Sequence, residues 1–111
     1  MEVDGIKLFR QLVEDLDAGG MRTLVDERKN RLGSGIVVLG SRRAGKASLV
    51  VGVTWDIAER IGAGDIVNKL ARVIGGGGGG HRTLAQAGGP DAAKVSDALD
   101  QSPELISNLL Q

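Results

Sequence analysis

The chain predicts an α/β fold: a small mixed β-sheet flanked by helices, with a glycine-rich loop between a helix and the C-terminal helical segments. Three observations carry this. Short β-branched runs, Ile36 to Leu39 and Leu49 to Val53, alternate with stretches whose apolar residues recur at helical spacing. The 18 glycines are about twice the usual share, and they cluster between those stretches, where turns belong. Hydrophobic content of 41% and charged content of 25% are ordinary for a soluble domain, and 111 residues suffice for one core.

Gly5 to Val13 alternates loosely, with Ile6, Leu8 and Leu12 on one side and Phe9 and Val13 on the other. A strand is predicted, although a segment this short also admits a helix. Asp17 then precedes Met21, Leu24, Val25 and Leu32, and Gly33 closes the run, which predicts a helix over 18–32. Arg22 and Asp26 stand four apart on its solvated side, a spacing that offers weak ion-pair support. The two β-branched runs follow, separated by Gly40-Ser41-Arg42-Arg43-Ala44-Gly45-Lys46-Ala47, and predict an antiparallel hairpin with a basic tip.

Gly40 to Lys46 also fits the first part of a phosphate loop, GxxxxGK, after a strand. The fit then fails twice. Ala47 stands where a hydroxyl must hold magnesium, and a strand follows where a helix N-terminus is required. Arg42, Arg43 and Lys46 remain candidate phosphate contacts at the tip, against the simpler reading of a solvated turn.

Beyond the hairpin, Asp56 and Glu59 have the spacing of a capping box for a short helix, which Gly62-Ala63-Gly64 interrupts. Asp65 opens the best-defined helix, where Ile66, Val67, Leu70, Val73 and Ile74 form one apolar stripe and Lys69 and Arg72 point outward. Trp55, the lone tryptophan, is expected at the edge of the core. With Phe9 the only other aromatic residue, a base-stacking platform is poorly supplied. Near the C-terminus, Pro90-Asp91 reads as a helix entry before Ala92, Val95, Ala98 and Leu99. Ser102-Pro103-Glu104 then reads as the cap and first turn of a further helix carrying Leu105, Ile106, Leu109 and Leu110, which covers the sheet or meets a partner helix.

Composition limits the function. The chain has no cysteine and a single histidine, hence no disulfide framework and no zinc site of its own. No apolar run approaches the ~18 residues of a membrane span and no signal-peptide pattern opens the chain, so a cytoplasmic setting without a membrane partner is expected. Net charge is zero but unevenly placed: residues 33 to 89 hold seven basic and three acidic side chains, and residues 90 to 111 hold one and four. The middle is therefore the candidate interaction region.

Within it lies Gly75-Gly76-Gly77-Gly78-Gly79-Gly80-His81-Arg82, followed by Ala85-Gln86-Ala87-Gly88-Gly89. Glycines act only through backbone groups, so two readings stand. One is a flexible linker. The other is a turn whose amides cradle a phosphate beside His81 and Arg82. His81 itself is either a structural residue or a phosphate contact, and its place beside the glycines favours contact.

The run GDIVNKLARVIGGGGGGHRTLAQAGG, preceded by GSGIVVLGS and VGVT, resembles the C-terminal domain of the alanyl-tRNA synthetase family. The likeness extends from about residue 3 to residue 101. It implies that residues 1–111 are a single globular domain, a C-terminal fragment of a larger alanine-tRNA ligase that contributes to binding at the tRNA elbow. The family's glycine run falls on Gly75 to Gly80 and its AQAGG on Ala85 to Gly89, while His81-Arg82-Thr83-Leu84 replaces the usual Arg-Pro-Asp-Met. A His in that place is closer to the GGGH pattern of the accessory domain of DHH-type phosphoesterases. The implied partners are tRNA(Ala), the other domains of the parent synthetase and, in a homodimer, a second copy. The implied RNA contacts are Gly75 to Gly80, His81, Arg82 and Gln86, with Arg42, Arg43, Lys46, Lys69 and Arg72 around them. No cofactor is expected here, because ATP, magnesium, alanine and the editing zinc belong to other domains. Three functions follow: an RNA-binding module without chemistry of its own, the accessory domain of a phosphoesterase, or an oligomerisation module.

Overall fold

Asp4 and Gly5 both take positive φ, 51° and 85°, and turn the chain back on itself at once. In the computed structural model, which describes residues 1–111, this makes a short hairpin between β1 (Glu2–Val3) and β2 (Ile6–Glu14). β2 confirms the strand reading, and β1 adds a piece too short to register in the apolar pattern. A helix, α1 (Ala18–Leu32), then crosses over to β3 (Ile36–Arg43), which runs parallel to β2. The Asp17 carboxylate accepts from Gly20 N–H at 2.8 Å to cap α1, and Gly33 at φ 75° ends it, as the sequence predicts.

β3 and β4 (Lys46–Val53) form the predicted antiparallel hairpin, longer than expected at both strands. Only Ala44 and Gly45, at φ 51° and 76°, occupy the turn, so Arg42, Arg43 and Lys46 are strand residues. The phosphate-loop fit is thereby excluded. Gly40 lies in mid-strand, where an added Cβ would fall 2.6 Å from Val95 Cγ1. Its lack of a side chain lets a helix approach the sheet.

The remaining elements are α2 (Trp55–Ala58), α3 (Ala63–Val73), β5 (Gly77–Gly80), β6 (Leu84–Gly89), a 3-10 turn at Ala92–Lys94, and α4 (Val95–Leu110). The six strands form one mixed sheet in the order β1-β2-β3-β4-β6-β5. α3 and α4 cover one face, where Ile36, Val38, Leu49, Val51, Ile66, Leu70 and Ile106 share the main core. α1 covers part of the other face through Met21 and Val25 against Val37, Leu39 and Val50. Each fully buried Leu or Ile in these layers contributes roughly 1.5–3 kcal/mol. The mixed sheet between helices is the predicted fold class.

Several local expectations are corrected. α2 begins at Trp55 with Thr54 at its N-cap, so Asp56 sits within the first turn and Glu59 follows the last. α3 starts at Ala63, two residues before Asp65. The two expected C-terminal helices are one, with Pro103 inside it. A proline has no N–H to give the carbonyl four residues back, which orphans Leu99 O. Here that oxygen accepts from Ser102 Oγ at 2.7 Å and from Arg10 Nη1 at 2.9 Å, so the helix continues. The C-terminal leucines Leu105, Leu109 and Leu110 are half-buried against the main core. Trp55, expected at the core edge, is 81% exposed.

Candidate nucleic-acid interface

The glycine run is neither a linker nor a loop. Gly77–Gly80 forms the outermost strand of the sheet, antiparallel to β6 in the register Gly77↔Gly88 to Gly80↔Ala85. Glycine is required there at alternate positions. A Cβ on Gly76, Gly78 or Gly80 would lie 1.9, 2.2 or 2.6 Å from backbone atoms of β6, whereas Gly77 and Gly79 meet nothing within 4 Å. β5 therefore nestles against its neighbour more closely than any side chain permits, and all four of its residues remain exposed.

This pairing corrects the expected cradle of six converging amides. Gly75 and Gly76 N–H donate to Arg72 O and Ala71 O at the end of α3, at 3.3 and 3.0 Å. His81 N–H donates to Leu84 O at 2.8 Å, which fixes the alternation along the hairpin and turns Gly77 and Gly79 toward β6. Gly78 and Gly80 are left facing away from it. Two edge amides, not six, have no strand partner.

Cations stand at both ends of this edge. The β3–β4 tip, with exposed Arg43 and Lys46, lies at the Gly77 end, because Ala47 pairs with Gly89 and Ser48 with Gly88. Arg42 is committed elsewhere, to an ion pair with Glu14 across β2 and β3. His81 and Arg82 lie at the other end, and both are exposed. The Arg82 guanidinium donates from Nε to Ala58 O at 2.7 Å and from Nη2 to the same oxygen, so it pins the hairpin tip to α2. α3 runs beside β5, with Ala63 and Gly64 N–H donating to Arg82 O and His81 O at 2.8 and 3.2 Å. Lys69 and Arg72 are exposed on that helix.

Two participants gave no sequence signal. Arg22 donates from Nη1 to Gln86 Oε1 at 2.8 Å, rather than pairing with Asp26. Lys29 Nζ reaches Thr83 O at 3.3 Å. Both contacts cross from α1 to a hairpin more than fifty residues away, a proximity that only the folded sheet creates. Between α1 and the glycine strand lies a hollow of about 470 Å³ lined by Ala18, Met21, Ser48, Gln86 and Gly77–Gly79.

Beside the tip, Asp56 accepts from Thr54 Oγ1 at 2.6 Å and from Ser34 Oγ. The Ser34 bond first, then the Thr54 bond, holds its carboxyl below the ordinary value of 3.8. A carboxylate depressed on folding adds stability above that ordinary value and loses it as pH falls through the lowered one. The arrangement offers backbone donors, guanidinium and ammonium groups to a ligand. No three acidic, His or Cys side chains cluster closely enough to hold a metal ion.

A bare edge strand between two basic ends, on a mixed sheet backed by helices, defines a class of accessory domain. The chain belongs to the DHHA1 domain family, whose match covers residues 5–108. Within it, the fold is that of the C-Ala domain of alanyl-tRNA synthetase: the crystal structure of this domain from Aquifex aeolicus superposes with a TM-score of 0.89 at 29% identity, covering 96% of both chains. The chain is also 50% identical over 101 residues to the alanine–tRNA ligase of Nitrobacter winogradskyi, and 43% identical over 99 residues to that of Idiomarina loihiensis. Each alignment covers 89% of this chain and 11% of the ligase, so the chain spans about a ninth of the length of these relatives.

Proposed function

We propose that this domain binds tRNA(Ala) at its elbow as part of an alanine-tRNA ligase, assisting aminoacylation and editing carried out by other domains. The observation that carries this reading is the glycine edge itself. β5 presents two outward amides and no side chains, so a sugar-phosphate ridge can approach to main-chain distance, and phosphate is met by Arg43 and Lys46 at one end and His81 at the other. RNA recognition by shape and phosphate contact needs little more than this. The ligase relatives favour this reading over a phosphoesterase accessory domain.

The test is a gel-shift titration of transcribed tRNA(Ala) at several salt concentrations with the Arg43→Ala, Lys46→Ala and His81→Ala variants. Arg82 is left intact because it also holds the hairpin tip. Each lost contact should weaken binding, and each lost cation, Arg43 or Lys46, should lower the salt slope by about one. Unchanged affinity and slope in the triple variant would refute the assignment.

A further inference from the structure

Resting on that tRNA-binding reading, we propose that Trp55 is a stacking platform for one unpaired nucleobase of the bound RNA, extending the glycine edge past its His81 end. An indole 81% exposed is rare enough to need a reason. The backbone that carries it is stapled. Thr54 N–H donates to Gly35 O at 3.1 Å, Gly35 N–H donates to Thr54 Oγ1 at 2.9 Å, and the Asp56 carboxylate ties Thr54 to Ser34. The ring is presented on a pedestal already ordered before any ligand arrives, which lowers the entropic cost of binding.

Two hollows border Trp55. One, of about 370 Å³, lies among Trp55, Ala58, Glu59 and Arg82. The other, about 690 Å³, includes Lys29 and Asn30. Each hollow thus has one cation in its lining. Arg82 links this place to the glycine edge, since it also lines the cleft formed with Gly80 and His81. Its Nε and Nη2 are taken by Ala58 O, which leaves Nη1 for a ligand.

The surroundings select the occupant. A protein partner's anchor site would set a tryptophan within an apolar patch. Here its neighbours are Asp26, Lys29, Asn30, Asp56, Glu59 and Arg82, with Ala58 the sole aliphatic lining. The carboxylates of Asp56 and Glu59 repel a phosphate from the same spot. A flat, uncharged ring with polar edges satisfies both conditions, and a nucleobase is such a ring.

Trp55 is the only tryptophan in the chain, so its fluorescence reports on this site alone. The 111-residue chain is titrated with transcribed tRNA(Ala), and emission is read beside a gel shift. Quenching that tracks the shift is expected, with Trp55→Ala weakening binding about 5- to 150-fold and Trp55→Phe retaining most of the affinity. A shift with emission unchanged, or with Trp55→Ala binding as tightly as the parent, overturns the platform and leaves the tRNA reading standing. Emission that responds only to the other domains of the ligase would assign a protein to the ring and likewise overturn it. No shift at all would remove both proposals.

Discussion

Two of the sheet's three hairpins, β3–β4 and β5–β6, are joined by turns of the same length and held together in opposite ways. β3–β4 turns at Ala44 and Gly45 and is fastened from within: Val37, Val38, Leu39, Leu49, Val50 and Val51 are all 0–1% exposed, sandwiched between helices on both faces. β5–β6 turns at Arg82 and Thr83, has a strand without side chains, and is gripped from outside by Arg82 on Ala58 O, Lys29 on Thr83 O and Arg22 on Gln86. Apart from its basic tip, the first hairpin is structure. The second is ordered by its neighbours so that its own outer face can stay bare, which is the state a main-chain contact surface requires.

The largest effect is expected in the inner hairpin. Leu49→Ala removes a fully buried side chain from the main core and should destabilise the domain by about 2–5 kcal/mol in urea unfolding, with a single transition. A cost under about 1 kcal/mol would mean that the core does not depend on this strand, and the contrast with the glycine hairpin would collapse.

Next comes a paired test within β5. Gly78→Ala places a Cβ 2.2 Å from Gln86 O and should cost about 1–3 kcal/mol by prising β5 from β6. Gly79→Ala meets nothing within 4 Å and should change stability by less than about 1 kcal/mol. Its methyl group would nonetheless stand on the face offered to RNA, so it should weaken tRNA binding more than it disturbs folding. Equal stability losses for the two variants would show that strand rigidity, rather than close packing against β6, demands glycine here.

This alternation explains what was legible in the sequence and what was not. Side-chain periodicity announced the inner hairpin, α1 and the stripe of α3, because each buries residues of one chemistry at one spacing. A polyglycine strand has no such signal: it looks the same as a linker or a turn, and only pairing with β6 makes it a strand. Trp55 misled for a related reason, since a large apolar residue is usually buried and nothing local said that Ser34, Thr54 and Asp56 would raise it on a pedestal. Pro103 misled because the partners that rescue Leu99 O are Ser102, beside it, and Arg10, some ninety residues away. Of the candidate site, Gly78, Gly80, His81 and Gln86 were legible as composition, whereas Arg22 and Lys29 came to it only through the crossover of α1.

The most local effect separates the two hairpins most cleanly. Arg82→Met keeps the aliphatic stem and removes the donors to Ala58 O, a loss of roughly 1 kcal/mol. That loss should be local. The amides whose bonds close the tip, His81 to Leu84 O, Ala63 to Arg82 O and Gly64 to His81 O, should exchange with deuterium faster. Those of Leu39 and Val50, which bond each other within the buried hairpin, should not change. If the inner amides accelerate in step with the tip, the two hairpins open as one cooperative unit. The glycine strand would then owe its order to the whole sheet rather than to the side chains that clasp it.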